Sequence, residues 1–460
     1  MTSEIVPVQP ASNHARIGVF SHGGTKNLGD EALFAAVIQN VRLRVRAADI
    51  IGFTINPDDT SARHSIPSFP IRRPGKVAPS ASKTTASSSL PASQVTAPVT
   101  SGSGTQLKNI LKSIPGLRFL GVRIRRLVRT AAAVLAEPLF LLDSYRRLKG
   151  VELLLVAGSQ QLNDIYGAWG FPYTLYKWTL LAKCARTKVA ILSVGAGPID
   201  SPLSKFFIRG VLKRVSYRSY RDAISSRLVQ SIGAKGNHPV FPDLVYSLQF
   251  PTPKPAPTIS QRTVVGTNPV PFYDGRYWRT PDPVRYRQYL GKFAKFTEWL
   301  DKTGHSILFF PTQTRADVLT IDDIQQSLNG SAHSPNILAR QPIESLEDLV
   351  SEISRADLVV ANRYHGILIS LILNKPVLGV AYHEKSRALL AQVGQGDYVL
   401  NVADFRTEEL IERFSALEAD APAIRKRIAS SMAPLRKALA EQYDTVFELI
   451  GIRPEAASTN

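Results

Sequence analysis

Arg363, His365 and Lys385 are the residues of this 460-residue chain whose types and spacing best suit chemistry. They lie in the stretch Asp357 to Lys385, DLVVANRYHGILISLILNKPVLGVAYHEK. Arginine and lysine suit a phosphate or carboxylate, and histidine changes charge near neutral pH. Together they would bind an anion and move a proton. Leu358–Ala361 reads as a buried strand, Asn362–Gly366 as a turn and Ile367–Leu373 as a helix. Asn374-Lys375-Pro376 stops that helix, and Val377–Ala381 reads as a second strand. Strand, helix, strand makes a βαβ unit with parallel strands. Arg363 and His365 then stand at the end of the first strand, and Tyr382, His383 and Lys385 at the end of the second. Both places are on the carboxyl edge, where ligands bind in open parallel sheets. Loop cations are often merely solvated. A histidine beside a glycine at a strand-to-helix turn is less simply explained that way.

A second candidate follows the first strand, Ala15–Ser21. The turn His22 to Glu31 reads HGGTKNLGDE, and Ala32–Val45 continues it with helical apolar spacing. Glycines let backbone N–H groups approach a ligand, and a helix N-terminus favours anions. The spacing matches neither a dinucleotide nor a Walker fingerprint. Asp30 and Glu31 either complement the helix dipole or bind sugar hydroxyls. A third small-residue turn, Ala157 to Asp164, follows the strand Val151–Val156.

Composition narrows the classes. A hydrophobic fraction of 44% fills real cores, and one cysteine, Cys184, excludes an internal disulfide and fits a reducing compartment. Met1 to Arg16 has no apolar core of the signal-peptide kind. No stretch reaches the ~18 apolar residues of a membrane span. These features place the chain in the cytoplasm, where it could rest peripherally on the inner face of the membrane. The net charge of +19 implies an anionic partner. Between Thr60 and Ala136 there are 12 lysines and arginines and no acid. Part of this region, Gln106 to about Arg129, is a basic amphipathic segment that suits an anionic membrane surface or a solvated helix. Nucleic acid is disfavoured, because no binding motif accompanies the charge. The histidines do not pair at metal-ligand spacing, so no metal is expected.

Strand–turn–helix repeats organise the rest. The first half adds a strand at Asp49–Asn56, helices at Phe171–Ala185, Ser204–Val215 and Ala223–Ile232, and strands at Lys188–Val194, Ser216–Ser219 and Pro239–Asp243. Pro74 to Gly104, rich in Ser, Ala, Thr and Pro, reads as a disordered insertion. Pro251 to Pro257 reads as a linker. Beyond it come strands at Thr263–Thr267 and Ser306–Phe310 and helices at Pro283–Lys302, Val318–Leu328, Ser345–Ser354, Thr407–Leu417 and Ala421–Ile450. The expected fold is α/β: two Rossmann-like domains, residues 15–250 and 258–418, facing a cleft in the GT-B manner, with a last helix over 421–450 packing back.

The motifs together resemble the polysaccharide pyruvyl transferase family. The resemblance rests on Asn27-Leu28-Gly29-Asp30-Glu31, Tyr220-Arg221-Asp222 with Ser225, Asp243, Arg363-Tyr364-His365-Gly366, Pro376 and Tyr382-His383-Glu384-Lys385. It spans Arg16 to about Gly394. Where the family usually has a triple-glycine turn followed by an acid, this chain has Ala157-Gly158-Ser159 through Asp164, and the insertion is extra.

The resemblance implies transfer of pyruvate from phosphoenolpyruvate to two hydroxyls of one sugar in a polysaccharide or lipid-linked glycan, giving a cyclic ketal. No cofactor beyond that donor is implied. His365 would act as general acid and Lys385 would stabilise the departing phosphate. Arg221 and Arg363 would clamp the donor. Asn27, Asp30 and Glu31 would bind or deprotonate the acceptor, with Asp30 as the catalytic carboxylate, and Gly29 and Asp164 would bind substrate. Two other readings stand beside it: a GT-B-like glycosyltransferase using a nucleotide sugar, and a basic scaffold at the membrane surface with no catalysis.

Overall fold

β1 (Arg16–Phe20) and β4 (Leu153–Ala157) are apolar runs buried over nearly their whole length, as strands covered on both faces must be. The structure is a computed structural model that describes residues 14–73, 136–250, 262–278, 280–328, 334–382 and 384–452. The expected insertion at Pro74–Gly104, the amphipathic segment at 106–129, the linker Pro251–Pro257 and His383 lie outside the described residues. The chain divides into two compact units, Met1–Ile71 with Leu148–Asn460, and Arg72–Arg147. In the second, Arg73 pairs with Glu137 at 3.2 Å and Arg147 with Asp143 at 2.8 Å. Helix α3, residues 136–148, ends at its boundary.

The first unit holds two parallel sheets. The larger has the order β3-β2-β1-β4-β5-β6, with β2 at Asp49–Thr54, β3 at Ser68–Pro70, β5 at Lys188–Val194 and β6 at Tyr217–Tyr220. Its strands all pair in parallel; for example, Val19 lies beside Gly52 on one side and Leu155 on the other. The smaller has the order β11-β10-β9-β7-β8, with β7 at Val264–Asn268, β8 at Ser306–Phe309, β9 at Leu358–Ala361, β10 at Val377–Ala381 and β11 at Val399–Asn401. Helices cover both. In chain order they are α1 (Leu28–Arg44), α2 (Pro57–His64), α4 (Phe171–Ala185), α5 (Pro202–Arg214), α6 (Ala223–Ser231) and α7 (Pro283–Lys302). Then come α8 (Asp317–Gln326), α9 (Leu346–Ser354), α10 (Tyr364–Ile372), α11 (Glu384–Gln392), α12 (Thr407–Ala419) and α13 (Ala421–Glu448).

Strand order turns at one point in each sheet: between β1 and β4 in the first, and between β7 and β9 in the second. Chains leave neighbouring strands on opposite faces there, which opens a crevice at the carboxyl edge. Three expected elements differ most, one being the helix expected from Ile367, which begins at Tyr364 and takes His365 into its first turn. The strand at Pro239–Asp243 reduces to one bridge between Tyr220 and Val240, because Asp243 turns the chain into a 3₁₀ turn by accepting from Val245 N at 3.1 Å. The helix expected from Ala32 begins at Leu28, because Asn27 caps it.

The last helix, α13, reaches the first sheet's elements. Its Asp444 pairs with Arg44 at 2.6 Å, and Gln442 accepts from Ser193 at 3.2 Å. No helix of the described residues is long and apolar enough to cross a membrane.

Candidate active site

The crevice of each sheet contributes one half of a site. In the first half, α1 starts immediately after the turn that leaves β1. Asn27 accepts from Gly29 N at 3.1 Å and donates to Asp30 Oδ2 at 2.9 Å. This cap aims the Asp30 carboxylate across the crevice, where it hydrogen-bonds Ser159 from the turn after β4. Burial raises the Asp30 carboxyl to about 6, with the Ser159 hydrogen bond opposing the shift and Glu31 adding to it. Arg221, at the end of β6, is 5% exposed and meets Asp243 at 3.3 Å.

In the second half, β7 and β9 meet through Asn268. Its Oδ1 accepts from Arg363 N at 3.3 Å, which fixes the turn that starts α10. A Cβ on Gly366 would lie 2.5 Å from that same Oδ1, so only glycine fits there. His365 occupies the first turn of α10. Its ring is half-buried, while Nε2 is sealed from solvent and has no hydrogen-bond partner among the described residues. Burial lowers His365 to about 4, with Asp243 pulling the other way and Arg221 and Lys385 adding to the shift. Lys385, at the start of α11, is lowered to about 7 by burial and then by Arg221.

The halves touch. A Cβ on Gly29 would lie 2.0 Å from His365 Nδ1, so the histidine rests on the bare backbone at the start of α1. Lys385 Nζ donates to Gln160 Oε1 at 3.0 Å, and the Arg221 guanidinium lies 4.5 Å from the centre of the Tyr364 ring. Backbone bonds close the seam: Leu28 N donates to Thr312 O at 3.0 Å, and Thr314 N to Lys26 O at 3.2 Å. Two helix N-termini, Arg221 and Lys385 therefore converge at the seam, an arrangement that favours an anion. Asp30, Lys385 and His365, with pKa values near 6, 7 and 4, can pass protons there.

The other expected residues fall elsewhere or act indirectly. Arg363, expected as a clamp on the donor, donates instead to Asp317 Oδ1 from Nε at 3.0 Å and from Nη2 at 2.5 Å. Asp317 is fully buried and also accepts from Gln313 N at 2.8 Å, so this pair ties the β8 and β9 turns together. Glu31 accepts from Gly24 N at 2.8 Å and meets His64 Nε2 at 3.2 Å, holding the glycine turn in shape. Asp164 accepts from Asp200 N and Ser201 N, both at 2.9 Å, at the start of α5. Its partners there are backbone groups and none belongs to the His365 cluster. Ser159, Gln160 and Tyr364 join the site without standing out in the sequence as site residues. A small-residue turn after a strand was the mark of the first two, and Tyr364 was hidden as an apolar member of the Arg-Tyr-His-Gly motif. Among the described residues no three histidine, cysteine or acidic side chains group as metal ligands.

Solved structures with the same architecture include S. aureus MnaA determined with UDP (TM-score 0.54, 10% identity, 96% of this chain and 99% of that one). A putative UDP-N-acetylglucosamine 2-epimerase from Listeria monocytogenes is equally similar (0.54, 9%, 93% and 94%). A glycosyltransferase from Rickettsia africae follows (0.50, 10%, 95% and 99%). At such identities the likeness shows the fold, two Rossmann-like domains of the GT-B kind. No curated protein sequence matches the chain. The sequence model of polysaccharide pyruvyl transferases matches residues 27–384, from the Asn27 cap through His365, and stops one residue short of Lys385. The chain belongs to the polysaccharide pyruvyl transferase family.

Proposed function

We propose that the chain takes the pyruvyl group from phosphoenolpyruvate and fixes it as a ketal on two hydroxyls of one sugar in a polysaccharide or lipid-linked glycan. The observation that carries this reading is the meeting of Lys385 and His365 with Arg221 and Asp30 across the seam. A donor with both phosphate and carboxylate needs such a cationic pocket. A reaction that protonates a carbon and deprotonates hydroxyls needs groups that exchange protons near neutrality.

The step balances as follows. C3 of the donor gains a proton and one hydroxyl adds at C2. The C2–O bond to phosphate breaks, with the electron pair leaving on phosphate, and the second hydroxyl adds at C2. Of the two hydroxyl protons, the reaction leaves one equivalent on the new methyl group and one on phosphate. In the empty site His365 is uncharged at neutral pH, which amends its simple role as a standing acid. A bound phosphate beside it opposes the effect of burial, so His365 gains its proton only with the donor present and delivers it to C3. Lys385 and Arg221 take up the negative charge of the departing phosphate. Asp30, ionised above about 6, accepts a hydroxyl proton, oriented by Asn27 and Ser159.

Thermal unfolding tests this reading. Phosphoenolpyruvate should stabilise the full chain, nucleotide sugars should not, and the Lys385→Ala variant should lose the effect. Stabilisation by a nucleotide sugar alone would refute it.

A further inference from the structure

The layer formed by α4 and α5 carries a surface that the transfer reaction does not use. Residues 165–220 contain nine lysines and arginines and one acid, Asp200. Along α5, Leu203, Phe206, Arg209 and Lys213 recur at helical spacing and are all exposed, while Phe207, Ile208, Val211 and Leu212 between them are buried. The outer stripe is therefore apolar in its first half and cationic in its second. Trp169, in the loop before α4, is 68% exposed, and Phe206 is 56% exposed. They belong to one aromatic cluster: Trp169 lies 5.7 Å from Phe207, which lies 5.7 Å from Phe206. Among the described residues no carboxylate pairs with Arg209 or Lys213; Arg209 Nε donates only to the carbonyl of Lys205 one turn back.

We propose that this face docks on an anionic lipid bilayer, with Trp169, Leu203 and Phe206 entering the headgroup boundary and Arg209 and Lys213 resting on its phosphates. Trp beside aliphatic side chains suits the interface between water and acyl chains. Unpaired cations suit an anionic leaflet. The charge also decides against two other occupants. A second copy would bring the same cationic face, and the chain's own segment at 106–129 is itself basic. The N-termini of α4 and α5 lie at the carboxyl edge of the first sheet, the edge that carries Ser159, so docking would bring the lipid surface to the acceptor side of the site. The docking itself does not depend on the identity of the donor.

Sedimentation of the full chain with vesicles tests it. The protein should pellet with phosphatidylglycerol–phosphatidylcholine vesicles at low salt. It should stay in solution with phosphatidylcholine alone, and be released as salt rises. Trp169→Ser with Phe206→Ser, and separately Arg209→Gln with Lys213→Gln, should each weaken binding about tenfold or more. Both pairs should keep the wild-type melting temperature and transfer to a water-soluble saccharide. Three results would overturn the proposal: no binding to anionic vesicles, binding untouched by either pair, or binding lost only when Arg123, Arg125, Arg126 and Arg129 are changed to Gln. Preference for RNA or a soluble acidic protein over the vesicles would overturn it equally. A failure of phosphoenolpyruvate to bind would leave these results standing.

Discussion

The two halves of the site are built alike and finished differently. Each lies where strand order turns in a parallel sheet, and each starts a helix with its N-terminus toward the seam. Apart from Arg221, the first half presents carboxylates, and they are tied down. Asn27 and Ser159 hold Asp30, and Gly24 and His64 hold Glu31. The second half is basic and poised. His365 Nε2 has no partner among the described residues, and Lys385 has one neutral hydrogen bond, to Gln160. A buried polar atom without a partner costs stability, and such costs gather at functional sites. In the proposed reaction, one half orients an acceptor while the other changes charge during turnover.

Breaking the basic half should have the largest effect. His365→Ala should lower kcat by about 10²–10⁴ with the fold retained, as read by single-turnover kinetics and circular dichroism. Full activity would remove the basis for the contrast. Arg363→Ala should act on stability, because it strands Asp317 as a buried charge without its partner. About 3–5 kcal/mol should be lost in urea unfolding, against little effect if Arg363 were an idle surface cation.

Joining the halves less closely should come next. Gly29→Ala places a methyl group in the His365 ring, so the ring or α1 must move, at about 1–3 kcal/mol. A fall in kcat larger than the change in KM would show that the ring had been displaced.

The proton-exchanging groups predict a narrow pH profile. Lys385 is charged below about 7 and Asp30 is ionised above about 6. kcat/KM, which reports the free protein, should therefore rise through about 6 and fall through about 7. Lys385→Arg should remove the fall, because guanidinium keeps its proton, and Asp30→Asn should remove the rise. The smallest effect belongs to Asp164. Asp164→Ala should cost about 1 kcal/mol through its two backbone bonds and leave kcat unchanged.

Much of this was legible in the sequence because parallel strands are nearly pure apolar runs. VELLLV, KVAILSV and LVVA mark their strands, and the residues that follow such runs fall on the carboxyl edge. The meeting of His365 with Gly29, separated by more than three hundred residues, was not legible, since spacing within one strand–turn–helix unit says nothing about the facing sheet. The fates of Arg363 and Asp164 were hidden for a related reason. A charged residue at a strand end looks the same whether it faces a ligand, as Arg221 is proposed to, or a buried carboxylate such as Asp317. Asp243 was visible as a motif residue, but its place beside Arg221 depends on a turn that replaced an expected strand.

The central claim is that the two halves act together on phosphoenolpyruvate. Its most direct test follows both products in deuterated water, with the protein, phosphoenolpyruvate and the host glycan. One inorganic phosphate should be released for each ketal formed, and the ketal methyl should carry one solvent deuterium. Glycan that gains a sugar from a nucleotide donor, or phosphate release without a ketal, would contradict the account.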